Sequence, residues 1–184
     1  MSDGPVTTTS TAKRSGTRNL VEWLVVIVCA LLVAVVIKTF LVQAFYIPSP
    51  SMTPTLKVDD RVLVNKLSYD LHGVHRGDIV VFTSPQQTTE KDLIKRVVGL
   101  PGDTVEGRDG HVVVNGQALA ERYLPDGVQT TTFGPVTIAP DHYWVMGDNR
   151  TNSSDSRVFG PIPKSRIIGR AFVKVWPLGS FRFF

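Results

Sequence analysis

The strongest constraint on this chain is a run of fifteen residues without a charge, Trp23 to Ile37 (WLVVIVCALLVAVVI), continued after Lys38 by Phe40, Leu41, Val42 and Ala44. No polar stripe interrupts it, so a helix built from it has no face suited to water. Taken from Trp23 to Gln43, such a helix would be about 31 Å long at about 1.5 Å per residue, close to the hydrocarbon thickness of a bilayer. Lys38 would then snorkel to the far interface, and Lys13, Arg14 and Arg18 would hold the N-terminus in the cytoplasm. An alternative is a cleaved secretory signal, because Val42-Gln43-Ala44 has a small-x-small form, although Lys38 interrupts the approach to it. The expected organisation is therefore a disordered cytoplasmic tail over 1–19, a single transmembrane helix over 20–43 and an extracytoplasmic domain over 44–184.

The rest of the chain sets limits of its own. A length of 184 residues suits one domain with a real core and leaves little room for a second. Basic residues number 20 against 16 acidic ones, but four of the former and two of the latter precede Thr39, which leaves 16 against 14 in the remainder. That surplus is small and scattered, and it argues against nucleic acid as a partner. Cys29, the sole cysteine, lies in the apolar run, so neither an intramolecular disulfide nor a cysteine metal site can form.

Beyond residue 56 the pattern changes to short Val- and Ile-rich runs broken by Gly, Pro and Asp. Strands are predicted at Arg61 to Asn65, Asp78 to Phe82, Leu93 to Val98, His111 to Val114, His142 to Met146 and Ile167 to Trp176. Asn115-Gly116 signals a hairpin, since both central residues of a type I′ turn need positive φ. The fold class expected is mostly β: one N-terminal transmembrane helix followed by a compact antiparallel β domain.

Three polar segments could carry chemistry. In Ile47-Pro-Ser-Pro-Ser-Met-Thr-Pro-Thr-Leu56 three prolines stiffen a stretch holding two serines, as a nucleophile needs, though a proline-rich linker would read the same way. In Leu93 to Asp103 alternation puts Lys95 with Leu93 and Val97, and Arg96 with Ile94 and Val98, so one of the two charges meets an apolar surface. A buried lysine loses hydration of its charged form and becomes a usable base; the alternative is an ion-paired or edge-strand lysine. Met146 to Arg157 mixes acids, arginines and hydroxyls in a way that could orient a neighbour, or offer oxygens of Asp148, Asn149, Asn152 and Asp155 to a cation, without the spacing of an EF-hand.

Pro48-Ser-Pro-Ser-Met-Thr-Pro-Thr-Leu56, Arg76-Gly-Asp-Ile-Val-Val-Phe82, Ile94 to Asp103 and Gly147 to Arg157, in that order after an apolar segment, resemble the sequence boxes of bacterial type I signal peptidases. The resemblance spans residues 20 to about 176. It implies a Ser-Lys protease of β fold, without metal or cofactor, that removes signal peptides from exported preproteins at the outer face of the plasma membrane. It assigns Ser51 as nucleophile, Lys95 as general base, and the Ser49 hydroxyl with the Ser51 N–H as oxyanion donors. By the same likeness Ser153 orients the lysine, Asp155 supports that loop, Asp148 pairs with Arg96, and Asp155 pairs with Arg157. Phe45, Ile47, Pro48 and Ile94 match pocket positions for small substrate side chains. Pro50 stands where such proteins often carry Gly or Glu, and Thr151 replaces a common Asp whose role is thereby in doubt.

Three rivals to this reading are a histidine triad built on His142 and Asp148, a self-cleaving Ser-Lys protease of the cytosolic repressor type, and a non-enzymatic membrane-tethered β-module. The apolar segment distinguishes this chain from the second. Replaceability of Ser51 and Lys95 would distinguish it from the third.

Overall fold

A computed structural model of the chain describes residues 16–36, 41–86 and 90–184. The chain falls into two units, residues 1–39 and 40–184. In the first, one helix, α1, runs from Gly16 to Val36. Every side chain described along it, residues 19–35, is exposed, so its apolar surface runs all the way round. Among the described residues no helix is long and apolar enough to cross a membrane.

The predicted boundaries of this segment need correcting at both ends. Gly16 to Asn19, expected in a disordered tail, are helical, while residues 1–15 lie outside the described residues. The expected helix to Gln43 does not reach that residue: 37–40, with Lys38, lie outside the described residues, and Val42 and Gln43 belong to a strand. The physical cause is backbone pairing, since Val42 lies opposite Asn65 and Gln43 opposite Val64 in an antiparallel ladder that a helix could not join.

The second unit holds twelve strands among its described residues: β1 (Val42–Tyr46), β2 (Arg61–Asn65), β3 (Ile79–Thr83), β4 (Asp92–Gly99), β5 (Thr104–Arg108), β6 (His111–Val114), β7 (Gln117–Ala118), β8 (Phe133–Thr137), β9 (His142–Met146), β10 (Ile162–Pro163), β11 (Ile167–Trp176) and β12 (Arg182–Phe183). The larger sheet runs β1-β2-β11-β3-β4-β9-β10 with β12 added to β11, and the smaller runs β7-β6-β5-β8. Every pairing is antiparallel, as expected from the short runs and tight turns.

Central strands of the large sheet are apolar on both faces because both are covered. Ile79 and Val81 of β3 pack with Ile47, Met52, Leu56 and Ile94. Their neighbours Val80 and Phe82 pack with Val97, Tyr143 and Val145. The smaller sheet contributes Val105, Val112 and Val114 to a third cluster with Val98, Trp144 and Met146. Asn115 and Gly116 have φ of 52° and 81°, and Val114 pairs with Gln117, so the predicted two-residue turn closes the β6–β7 hairpin.

The connection between β1 and β2 carries Ser49 and Ser51. It leaves the sheet at Ile47 and returns at Asp60, and its neck is closed by Ile47 N–H donating to the Asp60 carbonyl and Asp59 N–H to the Ile47 carbonyl, both at 3.0 Å. Met52 and Leu56 plug its interior into the core and are fully buried. The proline-rich stretch is thus a packed loop of the domain, which disposes of the linker reading.

Candidate active site

Within that loop Pro50–Met52 form one turn of 3-10 helix. Pro50 suits its first position because the fixed φ is already helical and a first-turn N–H has no partner to lose. The residue before a proline is pushed to extended backbone, and Ser49 has φ −128° and ψ 155° accordingly. Burial of Met52 then draws Ser51 inward until it is almost wholly buried. The Ser49 hydroxyl donates to the Ser51 hydroxyl at 3.3 Å.

Lys95 arrives from β4, three strands away in the sheet order. Its Nζ lies 2.7 Å from Ser51 Oγ and 3.0 Å from the Ile94 carbonyl. Only 2% of the residue is exposed. Burial pushes the amine down from 10.5 to about 8, against the charges of Asp155, Glu90 and Asp148, which raise it. Alternation had placed one of Lys95 and Arg96 against apolar surface; both are buried.

A buried arginine must be paired, and Arg96 is. It grips Asp148 in a fork, Nε to Oδ1 at 2.9 Å and Nη2 to Oδ2 at 2.6 Å, and gives Nη1 to the Gly77 carbonyl at 2.8 Å. Thr55 also donates to Asp148. Asp148 opens the 147–155 loop, which lies directly on the serine turn: Asn149 N–H donates to the Ser51 carbonyl at 3.0 Å and its side-chain amide to the Pro50 carbonyl at 3.2 Å. Contact is so close that a Cβ on Gly147 would stand 2.3 Å from Ser153 Oγ and 2.4 Å from the Ser51 carbonyl oxygen, so only glycine fits there.

Asp155 closes the loop. It accepts from Arg157 Nε and Nη2, both at 2.8 Å, and from the Gly147 N–H at 2.9 Å. Burial alone would push its carboxyl up; the Arg157 guanidinium and the Gly147 N–H reverse this and hold it below the ordinary range. The cation alternative for this loop loses its carboxylates, since Asp148 and Asp155 are both occupied by guanidinium groups. The triad rival fails similarly: His142 Nδ1 donates to the Pro140 carbonyl, while Asp148 is held by Arg96 and Thr55.

Both resemblance-based ion pairs are present, but one expected contact is not. The Ser153 hydroxyl is buried beside Asp155 without a hydrogen bond of ordinary geometry, and Lys95 has Ser51 and Ile94 as its partners instead.

Phe45, Ile47, Pro48 and Ile94 line a single cleft of about 30 Å³ together with Ser49 and Lys95. A far larger cavity, about 560 Å³, opens between Lys66, Tyr69, His142 and Ile168, and of the candidate residues only His142 of the rival triad lines it.

Sequence reasoning missed Arg150 and Glu121. Arg150 is 2% exposed and reaches the Gly147 carbonyl, Thr130 and Glu121. It stood inside a quoted motif without an assigned partner, and nothing in the local pattern around Glu121 marks that residue as more than a surface acid.

Comparison with known proteins gives the family. The chain is 42% identical over 185 residues to a probable signal peptidase I-2 of Synechocystis sp., covering 97% of this chain and 84% of the relative. It is 40% identical to a signal peptidase I of Leptolyngbya laminosa, covering 96% and 92%, and 38% identical to signal peptidase I T of Bacillus subtilis, covering 95% and 94%. The protein is therefore a peptidase of the serine class. The profile of one family, described as signal peptidase, peptidase S26, matches residues 20–176. The chain belongs to that family and is a type I signal peptidase.

Proposed function

We propose that this chain is a membrane-anchored endopeptidase that cleaves signal peptides from exported preproteins, with Ser51 as nucleophile and Lys95 as its general base. The observation that carries this reading is the 2.7 Å contact between a buried lysine amine and a buried serine hydroxyl. A neutral amine at that distance can take the Ser51 proton as the oxygen attacks the scissile carbonyl, and return it to the leaving amine. The Ser51 N–H, at the start of a helical turn where backbone donors lack intrahelical acceptors, and the adjacent Ser49 hydroxyl are the groups suited to the developing oxyanion. Asp148 with Arg96 and Asp155 with Arg157 hold the loop against the serine turn.

Anchoring in the plasma membrane rests on the apolar, exposed surface of α1, the further apolar residues after Val36, and Lys13, Arg14 and Arg18 ahead of it, which favour a cytoplasmic N-terminus and an extracytoplasmic catalytic domain. Incubation of the detergent-solubilised protein with a precursor bearing an Ala-x-Ala site, beside its Ser51→Ala variant, tests the activity. Cleavage after the second alanine by the parent alone is expected; turnover by both would dismiss Ser51. The cleft bounded by Phe45, Ile47, Pro48 and Ile94 is small, so Ala or Gly should be required before the cut, and Leu or Phe there should not be processed.

The pH profile follows from the lysine. Lys95 acts when neutral, so kcat/KM should rise about tenfold per pH unit up to about 8 and level off above it. A limb near about 6.5, where a free histidine titrates, would assign the base elsewhere.

A further inference from the structure

Three buried or nearly buried arginines surround the serine turn, and each has a contact outside its own motif. Arg96 Cζ lies 4.0 Å from the centre of the Tyr123 ring. Arg150 gives Nη1 to Glu121 Oε2 at 2.7 Å and to Thr130 Oγ1 at 2.8 Å, and Nη2 to Glu121 Oε1. Arg157 gives Nη1 to Thr131 Oγ1 at 3.2 Å. All four partners belong to residues 121–131, in the connection from β7 to β8, to which neither the sequence motifs nor the mechanism assigns a role.

Charge balance explains why the connection is needed. The 147–155 loop carries two acids, and each is consumed by another arginine, Asp148 by Arg96 and Asp155 by Arg157. Arg150 is left as a buried cation whose hydrogen-bonded acid must come from elsewhere, and Glu121 supplies it. Tyr123 in turn donates its hydroxyl to Glu121 Oε1 at 2.6 Å, which fixes the carboxylate. From Arg150 the path to the reacting atoms is short: its Nε holds the Gly147 carbonyl at 3.1 Å, its own carbonyl accepts from Arg157 at 2.6 Å, and the adjacent Asn149 N–H holds the Ser51 carbonyl.

We propose that residues 121–131 brace the catalytic loop, and that Glu121 is a positioning residue for peptide cleavage, acting through Arg150 on the placement of Ser51. The brace rests on the Ser51–Lys95 reading and adds to it an element from the smaller sheet. None of residues 121–131 lines the cleft bounded by Phe45, Ile47, Pro48 and Ile94, so loss of the brace is expected to fall on the chemical step rather than on substrate binding.

The test measures kcat and KM on the Ala-x-Ala precursor, well below the melting temperature of each variant. Glu121→Gln is expected to lower kcat about tenfold to a hundredfold, the range for a small misplacement of reacting groups, with KM within about twofold of the parent. Glu121→Asp keeps the charge and should recover part of that loss; Tyr123→Phe removes one hydrogen bond from the carboxylate and should lower kcat a few-fold. Glu106→Gln, which breaks the partly exposed pair of Glu106 with Arg108, is the control and should match the parent. A folded Glu121→Gln protein with parental kcat, or a loss expressed as raised KM, overturns the brace. Where Glu121→Gln does not fold, Tyr123→Phe and Thr130→Val decide: reduced kcat at parental KM upholds it, and parental kcat in both overturns it. Ser51→Ala keeps the two ideas apart, since its turnover would sink the nucleophile assignment, whereas an inactive Ser51→Ala beside a fully active Glu121→Gln would sink the brace alone.

Discussion

Lys95→Met is expected to remove turnover and to leave a protein more stable than the parent. Loss of a general base that works as a unit with its nucleophile costs on the order of 10⁴- to 10⁶-fold in kcat, which would put cleavage at the detection limit. Lys95→Arg should be equally inactive at every accessible pH, because the guanidinium stays protonated and cannot take the Ser51 proton. Stability moves the other way. Holding the amine at about 8 when its ordinary value is 10.5 means that the folded state disfavours the charged form, at about 1.4 kcal/mol per pKa unit, or roughly 3 kcal/mol in all. A depressed lysine carries this penalty in full below about pH 8, and the penalty is relieved as pH rises from about 8 towards 10.5, where the unfolded chain also loses its proton. Methionine, similar in length and apolar, escapes it. Urea unfolding should therefore show Lys95→Met ahead of the parent by up to about 3 kcal/mol at pH 7, with the gap closing near pH 10. A variant less stable than the parent at pH 7, or one that still cleaves, would contradict the role given to the lysine.

The second large effect concerns Asp148→Ala. Asp148 is 1% exposed and receives two hydrogen bonds from Arg96, itself 7% exposed. Removing the carboxylate strands a buried guanidinium, which typically costs about 3–5 kcal/mol. For a domain of this size that is a fall of very roughly 10–15 °C in Tm. The paired change Arg96→Met with Asp148→Leu removes both charges and should return most of the loss, since buried ion pairs contribute little net stability over apolar replacements. Thermal unfolding of the single and double variants checks this, and a single variant within about 1 kcal/mol of the parent would mean that water reaches Arg96 in solution.

Much of this was legible before any coordinates. Strands with both faces covered read as near-continuous apolar runs, so β3 and the second half of β4 stand out, and Asn115-Gly116 announces its hairpin through the positive φ that the turn demands. Ser51 and Lys95, which the structure brings within 2.7 Å of each other, stand out for a different reason: each sits where its residue type is out of keeping with its neighbours, a serine among prolines and a lysine among aliphatics. Several elements carried no such mark. β1 merges into the apolar run before it, so the helix was extended through Val42 and Gln43. β8, with Gly134 and Pro135 inside it, has the composition of a loop and becomes a strand through its pairing with β5. Glu121 and Arg150 are joined by tertiary folding across 29 positions, and local pattern contains no information about such a pair.

The neck formed by Ile47, Asp59 and Asp60 gives the two halves of the proposed Ser51–Lys95 pair unequal standing. Lys95 lies on a strand with neighbours on either side and shares the fate of the whole sheet. Ser51 lies on an excursion sealed by two backbone hydrogen bonds and held down by Met52, Leu56 and Asn149. Opening of the excursion can withdraw the hydroxyl while the lysine stays where it is, as a partial, sub-global event. If the excursion opened ahead of the sheet, activity would be lost below the melting temperature, so comparing the temperature of inactivation with that of unfolding tests how firmly Met52 and Leu56 hold it.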